Sequence, residues 1–252
     1  MENILLFMAG ILVGAMNAIA GGGMLIGFPV MLATGISPLV ANVTSHFIVI
    51  PGQVGAIIGY RKYLRKVPKS YALLIIPCAI GGAIGATILK HTSSARFETL
   101  VPVLMLTAVI LFAFQPFLHF HLHRHLKGRA KSLLPVLLIG CAFLPIAVYG
   151  GFFGVGFGFV IMAFLGFAQI HDIHLINALK CCSIFSISIV SAGLLARTGL
   201  VDWVPGSFMA AGCALGGYFG SRLAQRFSTH AIRIVVITIG LLAAGYLSLR
   251  TY

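Results

Sequence analysis

Long apolar stretches alternate with short polar stretches along almost the entire chain. Most of the apolar stretches approach the roughly 20 residues that a helix needs to cross the hydrocarbon core of a bilayer, and glycine, proline or charge bounds each one. The pattern predicts helical segments at 4–20, 24–34, 38–60, 70–89, 97–118, 133–149, 157–167, 174–196, 204–223 and 231–249. The sequence therefore predicts an all-α fold, a polytopic integral membrane bundle of helices.

Two of the predicted segments, 24–34 and 157–167, are too short to span a membrane alone, and each follows a glycine cluster. Backbone without helical hydrogen bonds is tolerated at membrane depth only where protein buries it or where it lines a cavity. We therefore expect two broken or re-entrant helices beside a cavity. Ten spans, and eight spans with two re-entrant hairpins, both fit this pattern.

The two halves of the chain resemble each other at a shift of about 135 residues. The glycines at 81, 82 and 85 recur at 216, 217 and 220, and the cluster at 21–23 recurs more loosely at 154, 156 and 158. Close helix packing is one explanation for such spaced glycines. An odd number of segments per half would invert the second half, as in many secondary transporters. We predict two inverted repeats of about five segments, 1–127 with a cytoplasmic linker and 128–252.

Composition supports a membrane protein and changes the meaning of its charge. Of 252 residues, 60% are hydrophobic and 8% are charged, whereas soluble domains contain about 25% charged residues. The formal net charge is +13, but the basic residues lie mainly between apolar segments, where they determine topology and contact anionic lipid. Membrane lipid, and not nucleic acid, is therefore the partner that we expect these basic residues to contact.

Lysine and arginine are concentrated in the stretches 61–69 and 124–131. Cytoplasmic loops of membrane proteins are enriched in these residues. We therefore expect both stretches to be cytoplasmic and both termini to face outward, in a multi-pass protein of the cell (inner or plasma) membrane.

Ordered motifs in both halves resemble the signature of the sulfite exporter TauE/SafE family. They are NAIAGGG at 17–23, GISP at 35–38 and YR at 60–61, followed by YGGFFGVG at 149–156, NALK at 177–180 and GLVDW at 199–203. The resemblance covers nearly the whole chain and implies a membrane protein that moves sulfite, organosulfonates or related sulfur-containing anions. The chain departs from the family pattern at three positions. Met24 stands where we expect glycine, and Ser45 and Cys181 each stand where we expect asparagine.

The residues themselves also favour an anion site. Ser37 and Pro38 suit the cap and first position of a new helix, which places Thr44 and Ser45 about two turns inside it. Helix N termini near the glycine breaks would present N–H groups and positive dipole ends to an oxyanion. The candidate substrate-binding residues are Asn17, Gly21, Gly22, Gly23, Thr44, Ser45, His46, Tyr149, Gly154, Gly156, Lys180 and Cys181.

Lys180 is the candidate that would supply full charge to the site. A charge deep in a membrane helix costs on the order of 3 kcal/mol on insertion scales, which favours a functional role. Snorkelling to the interface, or pairing with Asp172 at the start of the same segment, are the alternatives. His46 could relay a proton during transport or could be a hydrogen-bonded core histidine.

Other classes of function are less well supported by the sequence. The histidines at 119, 121, 123 and 125 would share a face only in an extended segment, so a hydrated linker explains them better than a metal site, and we expect no cofactor. An intramembrane enzyme would need a nucleophile and a base, and the sequence offers no such set. We predict a secondary transporter of small anions, not an enzyme, that works by alternating access. A carrier of metal cations or other small solutes is the alternative, and homo-oligomerisation is left open.

Overall fold

The computed structural model describes residues 2–67, 69–123, 133–167 and 172–225, with positions 238 and 245. Within these ranges the chain is almost entirely helical and contains no β-strand. Short 3-10 helices occur at Lys69–Leu74 and Ala196–Thr198. The α-helices are α1 (Glu2–Ile19), α2 (Met24–Ala33), α3 (Pro38–Gly59), α4 (Arg61–Leu64), α5 (Ile75–Lys90), α6 (Ser94–His123), α7 (Leu133–Phe152), α8 (Phe157–Phe167), α9 (Ile173–Leu195) and α10 (Trp203–Ala224).

The predicted all-α membrane fold is confirmed. Each of the first nine predicted segments coincides with a helix, and the tenth, 231–249, lies outside the continuous described ranges. Helix α6 continues past the predicted end at 118 to His123, so the backbone is helical at three histidines that the sequence had assigned to a linker. The stretch 124–131, expected to be a cytoplasmic loop, also lies outside the described residues.

Four helices of the described part are long and apolar enough to cross a membrane. They are Glu2–Ile19, Pro38–Gly59, Tyr71–Lys90 and Ile173–Thr198. Helices α2 and α8 have only 10 and 11 residues, which at about 1.5 Å per residue reach roughly halfway across a hydrocarbon core of about 30 Å. The two short segments are therefore half-helices, as the sequence predicts.

The spaced glycines pack helices from opposite halves of the chain against each other. A β-carbon added to Gly216 of α10 would meet the backbone of Ile11 in α1, and one added to Gly85 of α5 would lie 2.6 Å from the Phe152 nitrogen in α7. Such contact requires residues without a side chain. Close packing therefore explains these glycines, and each half contributes a glycine-rich helix to the first helix of the other half.

Local signals at helix starts agree with the sequence in most details. Asp172 caps α9, because its carboxylate accepts a hydrogen bond from the His174 N–H at 2.9 Å. Ser37 occupies the cap of α3 and Pro38 its first turn, but the Ser37 hydroxyl makes no capping bond.

The helix is interrupted at two places, between α1 and α2 and between α7 and α8. These two breaks meet inside the bundle, where the backbones of Gly21 and Gly158 are in contact. The inversion of the second repeat stays a prediction.

Candidate substrate site

The first break, between α1 and α2, is bridged by an asparagine side chain. The Gly23 N–H donates to Asn17 Oδ1 at 2.8 Å, across the residues where helical hydrogen bonding stops. Gly21 has a φ of 90°, in the left-handed region that residues with a β-carbon avoid. Asn17 and all three glycines of the cluster are buried, so this break is an internal feature of the bundle.

Lys180 of α9 reaches this first break from the other half of the chain. Its Nζ donates to the carbonyl oxygen of Ala18 at 3.1 Å and to Asn177 Oδ1 at 2.8 Å, and it lies 3.8 Å from Met162 Sδ. The side chain is 0% exposed, which rules out snorkelling. The carbonyl that it contacts lies at the C-terminal end of α1, where the helix dipole favours a cation.

The partners that Lys180 contacts are all uncharged, and no acidic residue is buried beside it. The chain has four acids, and each is exposed or half-buried: Glu2, Glu98, Asp172 and Asp202. Asp172, proposed as a partner from sequence, instead caps α9 with its carboxylate. The ammonium therefore has hydrogen bonds but no buried counter-ion.

The Ala18 carbonyl that Lys180 contacts also receives a second donor. The hydroxyl of Tyr60, at the end of α3, donates to it at 3.2 Å. Cys181 packs into the same small cluster, together with Ala56 and Ala178. Cys181 thus lies beside the first break, as a small buried neighbour of the Lys180 contact.

The second break, between α7 and α8, is held by Asn42 of α3. Its Nδ2 donates to the carbonyl oxygen of Phe152 at 2.9 Å, and its Oδ1 accepts from the Gly154 N–H at 3.3 Å. Asn42 is fully buried. Its amide thus satisfies two backbone groups that the end of α7 leaves without helical partners.

The two breaks are held from equivalent stretches of the two halves, by Asn42 in 42–45 and by Lys180 in 177–180. Asn42 and Asn177 are 135 residues apart (177 − 42), and Ser45 and Lys180 are separated by the same 135 (180 − 45). Helix α3 of the first half holds the break of the second half, and α9 of the second half holds the break of the first. The contacts across the two halves are therefore reciprocal.

Ser45 and His46 lie against the second break. A β-carbon added to Gly154 would be 3.0 Å from Ser45 Oγ and 3.4 Å from His46 Cε1. The Ser45 hydroxyl donates to the Asn42 carbonyl at 2.7 Å. His46 is buried, and its Nε2 has no hydrogen-bond partner. Ser45, His46 and Gly154 therefore share one location.

Tyr149 and Gly156 also belong to the second break. The Tyr149 hydroxyl lies 3.4 Å from the Val155 carbonyl oxygen, which links α7 to the residues that follow it. Gly156 has a φ of 77°, and a β-carbon there would lie 2.7 Å from that of Ala108 in α6. The left-handed backbone and the close neighbour both require glycine at this position.

Two further candidates have roles that the sequence did not indicate. Gly22 faces the ring of Phe159, which a β-carbon would overlap. Thr44 points away from Ser45, because its Oγ1 accepts from the Asp202 N–H at 3.0 Å, at the start of α10. The structure thus places Lys180 at the first break and Ser45 and His46 at the second, and it places Thr44 on another face of α3. Substrate contact by each candidate stays a prediction.

Sequence reasoning missed two buried polar residues of α3. Asn42 could have been found from the repeat shift, which aligns it with Asn177 of the NALK motif. Gln53 is 0% exposed, and neither its Nε2 nor its Oε1 has a partner. A single glutamine within an apolar segment was the only signal for it.

The family resemblance of the motifs extends to nearly the whole chain. A model of the family described as Sulfite exporter TauE/SafE matches residues 6–247. The chain belongs to the sulfite exporter TauE/SafE family. A "Probable membrane transporter protein" of Haemophilus influenzae is 27% identical over 236 residues, which cover 92% of this chain and 89% of that protein. The "Probable membrane transporter protein YfcA" of Escherichia coli is 28% identical, with 93% of this chain and 85% of that protein covered.

This TauE/SafE member is accordingly an integral membrane protein of a transporter family. The names of these two relatives specify no substrate. No solved structure matches the chain.

Proposed function

We propose that this TauE/SafE member is a secondary transporter of small sulfur-containing oxyanions, such as sulfite or an organosulfonate. The anion binds between the two repeats, beside the helix breaks, and crosses the membrane by alternating access. The observation that carries this proposal is the burial of Lys180 with uncharged hydrogen-bond partners only.

A buried ammonium without a counter-ion is energetically unfavourable. Removing such an ion from water costs on the order of several kcal/mol, and hydrogen bonds to neutral oxygens offset only part of that cost. A bound anion would supply the missing opposite charge. Because none of the four acids of the chain is buried, the substrate is the natural source of that charge.

The half-helices add positive potential near the same place. Helices α2 and α8 begin directly after the two breaks, and the N-terminal end of a helix attracts anions. Irregular backbone inside a membrane bundle occurs where it lines a cavity, and transporter sites are commonly built from discontinuous helices. Two breaks that meet at Gly21 and Gly158 are consistent with a site shared by both repeats.

The reciprocal contacts support alternating access. Each break is held by a helix of the opposite half, at Asn42 for one break and at Lys180 for the other. An inverted pair of repeats can exchange conformations, so that the site opens first to one side and then to the other. In such an exchange the two sets of contacts would loosen in turn.

Uptake into proteoliposomes tests the proposal directly. Purified protein should move radiolabelled sulfite or a small sulfonate, and vesicles without protein should not. A thermal-shift screen against sulfite, sulfate, thiosulfate and small sulfonates should identify the tightest ligand, because a ligand that binds the native state raises its apparent stability. Movement of a divalent metal with no response to any anion would overturn the proposal and favour a cation carrier.

A further inference from the structure

Gln53 is buried in the middle of α3 with its whole amide unsatisfied. Within the described ranges, the buried side-chain atoms without a hydrogen-bond partner are His46 Nε2, His174 Nδ1, and both Nε2 and Oε1 of Gln53. A buried polar group without a hydrogen-bond partner destabilises the folded state. Gln53 leaves both a donor and an acceptor unpaired among the described residues, so its amide is available to a group that itself accepts and donates hydrogen bonds.

The contacts of its neighbours show which way Gln53 faces. Gly52 and Gly55 face α10, where added β-carbons would meet Cys213 and Ala214. Val54 and Ile58 are 41% and 47% exposed and form the outer side of α3. Gln53 lies on neither of these sides. Its position on the helix turns it toward the interior of the bundle, on the same face as Ala56 one turn later.

This interior face of α3 is unusually polar for a membrane helix. Residues spaced four and three apart share one helix face, and those of the interior face are all buried: Asn42, His46, Val49, Gln53, Ala56 and Tyr60. At one end Asn42 holds the second break, and at the other end Tyr60 contacts Ala18 of the first break. Gln53 therefore lies on α3 between the two residues of this face that contact the breaks.

The other half of the chain has a polar residue at the equivalent position. Ser188 of α9 lies 135 residues after Gln53 (188 − 53) and is buried. One turn beyond Gln53, Ala56 packs with Ala18 and Cys181, the immediate surroundings of the Lys180 contact. Polar residues inside membrane bundles mark the paths of substrates and ions. Gln53 thus lies on the interior face, one helical turn before a residue that packs beside the Lys180 contact.

We propose that Gln53 binds the proton-bearing end of the substrate, and that the protein therefore selects sulfur oxyanions that carry a hydrogen-bond donor. Such substrates are hydrogensulfite and hydroxy- or amino-substituted sulfonates. This inference rests on the proposed function, in which Lys180 attracts the anionic end. The amide Nε2 of Gln53 donates to substrate oxygen, and its Oε1 accepts from the substrate's O–H or N–H. A fully deprotonated oxyanion would leave that Oε1 unpaired.

A matched pair of sulfonates tests this selection. 2-Hydroxyethanesulfonate and 1-propanesulfonate have the same length and differ by a hydroxyl in place of a methyl. The parent protein in proteoliposomes should prefer the hydroxylated compound by about tenfold or more, since a site that hydrogen-bonds a hydroxyl discriminates against the analogue without it. Gln53→Met keeps the length of the side chain and removes both polar groups. The ratio of hydroxyethanesulfonate uptake to propanesulfonate uptake should therefore fall close to one. Val54→Met, on the outer side of the same turn, is the matched control and should retain the preference.

The stability of the unliganded protein provides the second measurement. Gln53→Met should leave the melting temperature unchanged or raise it, because it removes an unsatisfied buried group. If the parent shows no preference, or if Gln53→Met retains it, the inference is wrong, and a raised melting temperature with a retained preference would indicate bound water only. If the parent moves neither sulfonate nor sulfite, the proposed function itself fails, and this inference fails with it.

Discussion

The ammonium of Lys180 lies 3.1 Å from the carbonyl oxygen of Ala18, and this contact joins residues that are 162 positions apart in the chain. It fixes the end of α1, just before the first break, to α9 of the other half. Lys180 therefore has two roles that a substitution can separate. It positions the break through a hydrogen bond, and it carries the charge that an anion would meet.

Replacing Lys180 with methionine should weaken anion binding by about tenfold to hundredfold, because a charge-assisted hydrogen bond is worth roughly 1.5 to 3 kcal/mol. Methionine keeps the apolar stem and removes the charge. Equilibrium binding of the best sulfur oxyanion to purified protein measures the effect. The melting temperature without anion should fall little or even rise, since an ammonium without a counter-ion leaves the core.

Ile189→Met is the control for Lys180→Met, because Ile189 is on the same helix and is 46% exposed. Lys180→Arg should retain the attraction for the anion but disturb the geometry of the contact, because a planar guanidinium replaces a compact ammonium. Anion affinity that is equal in Lys180→Met and the parent would restrict this lysine to positioning the break.

Asn42→Leu should destabilise the protein and impair transport. Leucine has the same branching and the same number of side-chain heavy atoms but cannot bond to Phe152 or Gly154, which leaves a buried carbonyl and a buried N–H without a partner. The expected loss in the free energy of unfolding is about 1 to 3 kcal/mol. Denaturant-induced unfolding in detergent measures it, with Val54→Ala on the outer side of α3 as control. An unchanged unfolding midpoint would show that Asn42 contributes little to holding the second break.

The glycines at the two breaks should differ in whether substitution of a neighbouring residue restores transport. Replacing Gly22 or Gly156 with leucine should abolish transport. Even Gly22→Ala should fail, because its methyl would overlap the Phe159 ring, but a second change, Phe159→Leu, should restore part of the activity. Gly156→Ala should not be rescued by Ala108→Gly, because its φ of 77° strains any residue with a β-carbon. Proteoliposome uptake, with the yield of folded protein as reference, distinguishes these cases.

Rescue of Gly156→Ala by Ala108→Gly would show that space alone, and not backbone conformation, requires glycine at this break. Normal transport by both leucine variants would mean that the glycines at the breaks serve helix packing only.

The inverted topology predicts opposite labelling of two basic positions. Cysteine at Lys62 should react only from the cytoplasmic side, and cysteine at Arg197 only from the outside, because the positive-inside bias assigns these ends of α3 and α9 to opposite faces. Both positions are exposed, whereas the native Cys78, Cys181 and Cys213 are buried and should react slowly. Membrane-impermeant maleimide labelling of intact cells measures the sides. Labelling of both positions from one side would contradict inverted repeats.

The sequence by itself determined where the helices lie. Segment lengths and hydropathy predicted nine helices of the described part, and the glycine clusters predicted both breaks. These features are local, because a membrane helix must be long, apolar and continuous in hydrogen bonding unless protein surrounds the interruption. The cap of α9 by Asp172 is local in the same sense.

Only the tertiary structure decided which way each helix faces. Lipid and the bundle interior are both apolar, so hydrophobic spacing does not separate the inner side of a membrane helix from the outer side. Thr44 and Ser45 are adjacent in sequence, yet about 100° of helical rotation sends one to Asp202 and the other to Gly154. The partners of Lys180 and Asn42 depend on how the two halves interlock. Contacts between residues more than a hundred positions apart leave no local pattern for the sequence to reveal.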